Sequence, residues 1–336
     1  IFSKAKLDPT IINGGVINSL QNSARLGKSK WCVLESDESD GSFIKVPPTY
    51  SVVTNIDREH MDYYKSMDKL LNLFREYIDR VPSFGKSFIC IDDKNNFKLI
   101  KTLKAKNFNT YGTNKKSNFC ISKIFQTRHF SKFNLSVKLP GKKTISIKNI
   151  IIPLLGLHNI RNATASVAVA ISLGIPIQKI KSGLKKFKGV QRRFNKIFEY
   201  KGASFFDDYA HHPTEIKEVL SGVKSAYSSE KIVCIFQPHR VSRLNDLKSE
   251  FVKCFRQADE VILCPIFTAG ENIKLKFSYD SFAKQICSHS KVRLHIVKDK
   301  TNLTNFIKQN IYGNKVVIGM GAGSISNWIK ELPNII

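Results

Sequence analysis

Short apolar runs that alternate with helical patterns are the feature of this sequence that most restricts its fold. Apolar segments of strand length lie at residues 30–34, 50–56 and 87–91, and polar clusters follow them. Between the second and the third, residues 67–81 carry apolar side chains at helical spacing. This alternation favours an α/β fold, in which crossover helices connect the strands of a mostly parallel sheet. We therefore predict buried strands at 30–34 and 50–56.

The rest of the chain predicts one antiparallel excursion and a second α/β unit. Residues 119–152 contain β-rich stretches with little helical signal, and 159–173 and 177–187 predict helices. The pattern restarts after 189–194, which we interpret as a linker. The strands predicted beyond it indicate a doubly wound α/β domain; they lie at 198–207, 231–237, 261–265, 292–297 and 315–318. We place the two domains at 1–190 and 191–336.

The composition is typical of a globular protein with an excess of positive charge. Hydrophobic residues make up 42% of the chain and charged residues 24%, which allows a sizeable core. Seven cysteines without CxxC spacing favour reduced thiols in a cytoplasmic protein. The longest apolar run, 150–157, is too short to cross a membrane. The net charge of +27 would attract anions, but lysines scattered along the whole chain favour a solvated surface.

Two polar clusters follow predicted strands, at the sheet edge where ligands of open parallel sheets bind. The first, residues 35–40, carries four carboxylates, whose oxygens suit Mg²⁺. The second, residues 54–62, contains His60, which could ligate a metal or orient a phosphate, with Asp62 to support it. A solvated acidic turn and a capping turn with an incidental histidine are the competing interpretations.

Polar groups in the second half differ in how strongly they indicate function. Residues 209–213 place three polar rings after a strand, which is unusual for a helix cap and favours a functional site. Arg192 and Arg193 by themselves are typical of a basic linker. The glycine-rich stretch 319–324 predicts a tight turn into the last helix, because a lone GxGxG is weak evidence for a phosphate loop. A structural role is predicted for the cysteines and for His129, His289 and His295.

In order and spacing, these clusters resemble the central and C-terminal domains of the Mur ligases, which build the peptide of bacterial peptidoglycan. The resemblance rests first on residues 35–43 and 53–62. Further similar segments lie at 7–15, 156–163, 191–194, 207–215 and 236–243. Each motif is weak alone, but their colinearity over the whole chain makes the match specific. Within the family, the chain looks most like members that add L-alanine to UDP-N-acetylmuramate.

The resemblance implies a site for ATP and Mg²⁺. Glu35 and His60 match family residues that help to hold magnesium. The side chains that would lie near the nucleotide are His158, Asn159, Asn162, Arg192 and Arg193. In such a ligase, ATP converts the lactyl carboxylate into an acyl phosphate, and phosphoryl transfer depends mainly on charge neutralisation and alignment.

The resemblance also implies a site for the amino acid. Asp208 and His211 match residues that approach the nucleotide and the incoming amino acid, and Arg240 and Arg243 would hold the carboxylate of L-alanine. Paired arginine donors leave the amine of the amino acid available for attack. A histidine or an aspartate would take the amine proton, and the sequence leaves open which of them does so.

One expected motif is missing, since GxxxxGK[ST] occurs nowhere in the 336 residues. The family carries this loop just before the position that matches the start of this chain, and its UDP-binding domain precedes the loop. We therefore expect a fragment that cannot ligate alone. Three alternatives remain: a sister ligase that attaches a recycled tripeptide, a basic nucleic-acid-binding protein, and a non-catalytic remnant. No recognisable nucleic-acid-reading module occurs, and the retention of Glu35, His60, His211 and Arg240 argues against a remnant.

Overall fold

The computed structural model describes residues 1–105, 107–272 and 278–336. Its contacts divide the chain into two compact units, Ile1–Gly189 and Val190–Ile336. Each unit contains its own six-stranded sheet and its own buried apolar core.

Strands and helices alternate through much of the first unit. Its strands are β1 (Thr10–Ile17), β2 (Asn22–Arg25), β3 (Cys32–Leu34), β4 (Tyr50–Val53), β5 (Lys86–Cys90), β6 (Phe108–Gly112), β7 (Phe119–Gln126), β8 (Ser131–Val137) and β9 (Ile145–Ile152). Its α-helices are α1 (Met61–Tyr64), α2 (Met67–Asp79), α3 (Lys94–Leu99), α4 (Leu157–Ser172) and α5 (Ile177–Lys185).

The main sheet of this unit has the order β4-β5-β6-β7-β8-β9. Strands β4 to β7 are parallel, whereas β7, β8 and β9 pair antiparallel. The structure thus confirms the predicted parallel sheet with an antiparallel excursion. The alanine-rich helix α4 packs against this sheet, and its buried Ile160 and Val167 belong to the same core as Phe88, Phe119 and Phe133. Small side chains on a helix allow this close approach to a sheet.

A second, three-stranded sheet in the first unit has the order β2-β1-β3. The prediction of a buried strand at 30–34 is wrong in its burial, because Cys32, Val33 and Leu34 are all exposed. The physical reason is that β3 is an edge strand whose only partner among the described strands is β1. Apolar periodicity indicates which segments form strands, but it does not distinguish an edge from a centre.

The second unit is a separate α/β fold. Its strands are β10 (Asn195–Tyr200), β11 (Ala203–Asp208), β12 (Lys231–Phe236), β13 (Glu260–Leu263), β14 (Arg293–Ile296) and β15 (Lys315–Met320). Its α-helices are α6 (Pro213–Ala226), α7 (Val241–Asp246), α8 (Lys248–Cys254), α9 (Tyr279–Ser290), α10 (Lys300–Asn310) and α11 (Ile325–Glu331). The predicted strand 198–207 is wrong as one element, since it is a hairpin that turns at Lys201 and Gly202, both with positive φ.

The sheet of the second unit has the order β10-β11-β15-β12-β13-β14. All strands from β11 to β14 are parallel, and only β10 runs antiparallel to its neighbour. Because β15 inserts between β11 and β12, the strand order reverses there. Open parallel sheets bind ligands outside the carboxyl ends of the strands at such a reversal. A ligand site is therefore expected among the residues that follow β11, β12 and β15.

Candidate active site

Glu35 stands directly after β3 and is held by the backbone of β1. Its Oε2 accepts a hydrogen bond from the Gly14 amide at 2.6 Å, and its own amide donates to the Ile12 carbonyl at 2.8 Å. A Cβ on residue 14 would lie 3.2 Å from Glu35 Oε2, so glycine allows the carboxylate to approach closely. The side chain is exposed and can accept further bonds or a cation.

His60 lies beside Glu38, which sequence reasoning did not single out. His60 Nε2 and Glu38 Oε1 are 3.8 Å apart, and the Tyr64 hydroxyl donates to the Glu38 carbonyl. Burial raises the pKa of Glu38, while the neighbouring His60 acts in the opposite direction. His60 itself has φ 55° and immediately precedes α1. The only sequence signal for Glu38 was its membership of the acidic cluster.

The Glu35 carboxylate suits a magnesium ion that takes most of its ligands from a nucleotide and from water. Over 1–105, 107–272 and 278–336, no group of three or more His, Cys, Asp or Glu side chains could hold a metal ion. Mg²⁺ in nucleotide enzymes is commonly held by one or two carboxylates together with phosphate oxygens and water. The exposed carboxylate of Glu35 fits that pattern.

The predicted nucleotide residues of the first unit lie in the first turns of α4. The His158 ring packs against Gly156, where an added Cβ would lie 2.4 Å from the ring Cε1. Asn159 Nδ2 donates to the Leu155 carbonyl at 2.7 Å, which orders the chain ahead of the helix. Asn162 is exposed one turn further along. The structure thus gives Asn159 a local structural bond and leaves the Asn162 side chain on the surface.

An ion pair that the sequence analysis missed fixes the same helix end. Arg161 Nε donates to Asp92 Oδ2 at 2.8 Å, and the Asp92 carboxylate also accepts from the Thr113 amide and hydroxyl and from the Asn114 amide. Burial would raise the pKa of Asp92, but the Thr113 and Arg161 donors outweigh it and lower the pKa. An open pocket of about 340 Å³ adjoins this pair; it is lined by Ile91, Asp92, Lys94, Phe97, Lys98 and Asn114.

In the second unit, Arg192 and Arg193 both lie against the ring of Tyr209. Their guanidinium carbons are 4.7 and 5.8 Å from the ring centroid. The Tyr209 amide donates to the Arg192 carbonyl at 2.7 Å, and Arg192 Nη2 donates to the Gly321 carbonyl at 2.6 Å. Cation–π contact and these bonds join the segments that follow β11 and β15. Within the glycine-rich stretch 319–324, the first two residues end β15 and residues 321–324 form the predicted turn before α11, and the Gly321 carbonyl is part of this arrangement.

Asp208 is buried at the end of β11 and binds the backbone with both carboxylate oxygens. Oδ1 accepts from the Ala210 amide and Oδ2 from the Phe194 amide, each at 2.8 Å. Burial raises the pKa of Asp208 to about 6, although these amides and Arg193 act in the opposite direction. The carboxylate therefore links the loop after β11 to the turn before β10.

His211 and His212 have different surroundings. His212 is the N-cap of α6, where it forms a capping box with Glu215. One of the three polar rings thus does cap a helix, contrary to the expectation that such rings rarely do so. His211 Nδ1 lies 3.0 Å from the Tyr209 carbonyl, and since a carbonyl only accepts, Nδ1 carries the proton. A proton taken up by neutral His211 would therefore go to Nε2.

Arg240 and Arg243 stand at the start of α7, after β12. Arg240 is exposed, has φ 68° and donates its amide to the Phe267 carbonyl at 2.8 Å. Arg243 Nη1 lies 3.1 Å from His239 Nδ1. The His239 ring is 5.7 Å from the ring of His211, centroid to centroid. The carboxyl ends of β11 and β12 thus bring His211, His239 and Arg243 into one cluster.

Two of the histidines for which a structural role was predicted have ring partners close to them in the fold. His295 Nε2 lies 3.0 Å from Glu260 Oε1, and His289 Nδ1 lies 2.9 Å from the Gln285 carbonyl. All seven cysteines are free thiols. In the part of the chain that the structure describes, no helix is long and apolar enough to cross a bilayer.

Comparison with known families accounts for both units. The Mur ligase middle domain matches residues 13–170, and the Mur ligase glutamate ligase domain matches residues 192–323. A protein of Pelagibacter ubique named UDP-N-acetylmuramate–L-alanine ligase is 64% identical over 336 residues, which are the whole of this chain and 72% of the relative.

Solved structures agree with this match. A UDP-N-acetylmuramate–alanine ligase from Thermotoga maritima has a TM-score of 0.76 and 26% identity, and the alignment covers 99% of this chain and 70% of that one. A murein peptide ligase from Psychrobacter arcticus has a TM-score of 0.67 over 99% of this chain and 72% of its own, at 18% identity, and so supports the fold alone. This chain belongs to the Mur ligase family, of which it contains the middle domain and the glutamate ligase domain.

Proposed function

We propose that this chain is the nucleotide- and amino-acid-binding part of an ATP-dependent ligase that joins L-alanine to UDP-N-acetylmuramate in peptidoglycan synthesis. The observation that carries the proposal is the 64% identity, over the entire chain, to a relative named for that reaction. A lactyl carboxylate oxygen attacks the γ-phosphorus of ATP, which gives an acyl phosphate and ADP. The amine of L-alanine then attacks the acyl carbon, and inorganic phosphate leaves with the carboxylate oxygen.

We propose nucleotide contacts for each unit by itself, and the sequence predicts the two corresponding domains at 1–190 and 191–336. The exposed Asn162 and the first turn of α4 support a contact with the adenine or its ribose, together with His158 and Asn159. Arg192 and Arg193 supply positive charge next to Tyr209, which suits a phosphate or a stacked base. Glu35 and His60 would hold Mg²⁺, which supplies charge neutralisation at the phosphate oxygens when it is bound.

The amino acid is proposed to bind in the cluster of the second unit. Arg240 and Arg243 would hold the carboxylate of L-alanine, because guanidinium groups offer paired donors to a carboxylate. We assign the amine proton to His211 Nε2 rather than to Asp208. Both oxygens of Asp208 accept backbone amides, whereas the Tyr209 carbonyl orients His211 with Nδ1 protonated. His211 would thus act as the general base.

The proposal includes a cytoplasmic location, where ATP and reduced thiols are available, and the seven free cysteines agree with it. The sister ligase that attaches a tripeptide is disfavoured, because the relative of 64% identity is named for L-alanine. The structural likeness to a murein peptide ligase, at 18% identity, concerns the fold and favours neither substrate.

Oxygen-18 transfer tests the reaction class. We define the fusion enzyme as this chain preceded at Ile1 by all residues of the Pelagibacter ubique relative that lie before the residue aligned with Ile1. With both oxygens of the lactyl carboxylate labelled, each ligation should place one labelled oxygen in inorganic phosphate. Label that appears in AMP instead would indicate an acyl adenylate and contradict the proposal.

A further inference from the structure

His239 is a half-buried histidine at the carboxyl end of β12 that none of the roles above includes. Its ring stacks on the ring of Phe267, with centroids 5.6 Å apart and an interplanar angle of 11°. The ring of His211 meets it at 5.7 Å and 64°. Arg243 Nη1 lies 3.1 Å from its Nδ1 and donates to its carbonyl at 3.3 Å. Neighbouring groups thus contact His239 on several sides.

The contact with Arg243 fixes the tautomer of this ring. A guanidinium has only donors, so His239 Nδ1 must accept, and a neutral imidazole that accepts at Nδ1 carries its proton on Nε2. Burial lowers the pKa of His239 to about 4, helped by the nearby His211, Arg243 and Arg240 and opposed by Glu271. The ring is therefore neutral at neutral pH. His211 differs from His239, since its Nδ1 carries a proton and donates to the Tyr209 carbonyl.

The surroundings of Phe267 keep the stacked ring in place. The Phe267 amide donates to the Pro238 carbonyl and its carbonyl accepts from the Arg240 amide, each at 2.8 Å, which bridges the segments after β12 and β13. A Cβ on residue 323 would lie 2.5 Å from Phe267 Cγ, so Gly323 leaves the space that the ring occupies. Ser242, in the first turn of α7, donates its amide and its hydroxyl to the carboxylate of Glu271. These bonds anchor α7 to the segment after β13 that carries Phe267.

We propose that His239 is a positioning residue for the ligation: it holds the guanidinium of Arg243 in the orientation that receives the carboxylate of the amino acid, and it does not take up the amine proton. This inference rests on the proposed function for the assignment of Arg243 to that carboxylate. A long arginine side chain loses rotamer freedom when it binds a ligand. An acceptor that restrains the side chain beforehand reduces that cost and strengthens binding.

The pairing itself can be tested on the 336-residue chain, without any activity. Nitrogen-15 spectra of the imidazole rings, with His239 identified by its loss in His239→Asn, should show a bare Nδ1 and a protonated Nε2 at pH 7. The ring should reach half protonation only near pH 4. Arg243→Met removes a positive charge and the donor, so the midpoint should rise and the tautomer preference should weaken. A protonated Nδ1, or a midpoint near 6.5 in the wild type, would overturn the pairing.

The fusion enzyme tests what the pairing does. His239→Asn keeps an acceptor at the δ position, whereas His239→Phe keeps a ring against Phe267 and has no acceptor. For His239→Phe we expect KM for L-alanine to rise about tenfold or more, because a hydrogen bond to a charged group is lost. His239→Asn should have a smaller effect. In both variants kcat should stay within about threefold of wild type and keep its pH profile, since no proton carrier was removed.

Two results would refute the positioning role. The first is a large fall in kcat with an altered pH profile and an unchanged KM, which would mean that His239 carries a proton. The second is an unchanged KM and kcat in His239→Phe, which would mean that His239 does not restrain Arg243. Fluorescence of Trp328, measured in a Trp31→Phe background of the 336-residue chain, checks that this unit still folds in the variants. If the wild-type fusion enzyme does not ligate L-alanine, the proposed function fails and the role in amino acid binding fails with it. The nitrogen-15 spectra would still decide the pairing of His239 with Arg243.

Discussion

Arg161 Nε and Asp92 Oδ2 are 2.8 Å apart, and this ion pair joins the first turns of α4 to the carboxyl ends of β5 and β6. Asp92 is only 7% exposed and also accepts from Thr113 and Asn114, so its charge is matched on several sides. Asp92 thus fixes the start of α4, which carries the residues proposed to contact the nucleotide. The position of those residues therefore depends on a carboxylate that would not itself touch ATP.

Asp92→Asn should destabilise the first unit. Neutralising one partner of a mostly buried, hydrogen-bonded ion pair costs about 2–4 kcal/mol, because the charge-assisted bonds to the Asp92 carboxylate are weakened or lost. The free energy of unfolding can be followed in urea through Trp31 fluorescence in a Trp328→Phe background, since the chain has two tryptophans, one in each unit. Asp68→Asn, at an exposed position of α2, is the control and should cost less than about 1 kcal/mol. A change below about 0.5 kcal/mol for Asp92→Asn would show that the ion pair is unimportant.

Asp208 should make the stability of the second unit depend on pH. Its folded pKa of about 6 lies above the ordinary value of 3.8, so the folded state binds the proton more tightly. The stabilisation from this group is thus fully present below pH 3.8 and is lost as the pH rises to about 6. The unfolding free energy of wild type minus that of Asp208→Asn should fall by about 3 kcal/mol over this window. Trp328 fluorescence in a Trp31→Phe background measures it, and a difference that does not vary with pH would contradict the raised pKa.

Arg243→Gln should impair binding of the amino acid. If the guanidinium binds the carboxylate of L-alanine, its loss removes charge-assisted bonds and should raise KM for L-alanine about 10- to 100-fold in the fusion enzyme. KM for ATP should change by less than about threefold. Arg256→Gln is a matched control in the same unit, where an exposed arginine donates to the His289 carbonyl. Equal effects of the two substitutions on KM for L-alanine would exclude a specific role for Arg243.

Glu35→Gln should raise the Mg²⁺ concentration that the fusion enzyme needs for half-maximal rate. Loss of a group that only supports a metal ligand costs about 10- to 100-fold in affinity, so loss of a direct ligand should cost at least about tenfold. Asp37→Asn changes the charge of the same acidic cluster by the same amount and is the control. A magnesium titration of phosphate release distinguishes them. Identical curves for both variants would mean that the cluster acts only through its overall charge.

The sequence was sufficient to predict the α/β architecture and the antiparallel excursion, because apolar periodicity and helix spacing are local properties. It did not show that β3 is an exposed edge or that 198–207 contains a turn. The first depends on which strands become neighbours in space. The second depends on two residues with positive φ, Lys201 and Gly202, inside a run of strand-forming side chains.

Residues that touch across the fold were harder to predict than residues in motifs. Asp92 and Arg161 are 69 positions apart, and Phe267 reaches His239 from the segment after another strand. Their meeting depends on strand order, which a single sequence does not reveal. Asp208 illustrates the same limit within a motif. The family resemblance implies a group near the nucleotide and the amino acid, but the sequence did not reveal that the carboxylate is buried and that both of its oxygens bind backbone amides.

The reaction product made by the fusion enzyme tests the central claim most directly. With ATP, Mg²⁺ and UDP-N-acetylmuramate, mass spectrometry should detect the L-alanyl product when L-alanine is supplied, with one ADP formed per product. A recycled tripeptide supplied instead should give little product. The 336-residue polypeptide alone, which contains no GxxxxGK[ST], should form none. Efficient ligation of the tripeptide with no L-alanyl product would contradict the assignment to L-alanine, and product formation by the 336-residue polypeptide alone would contradict the need for that loop.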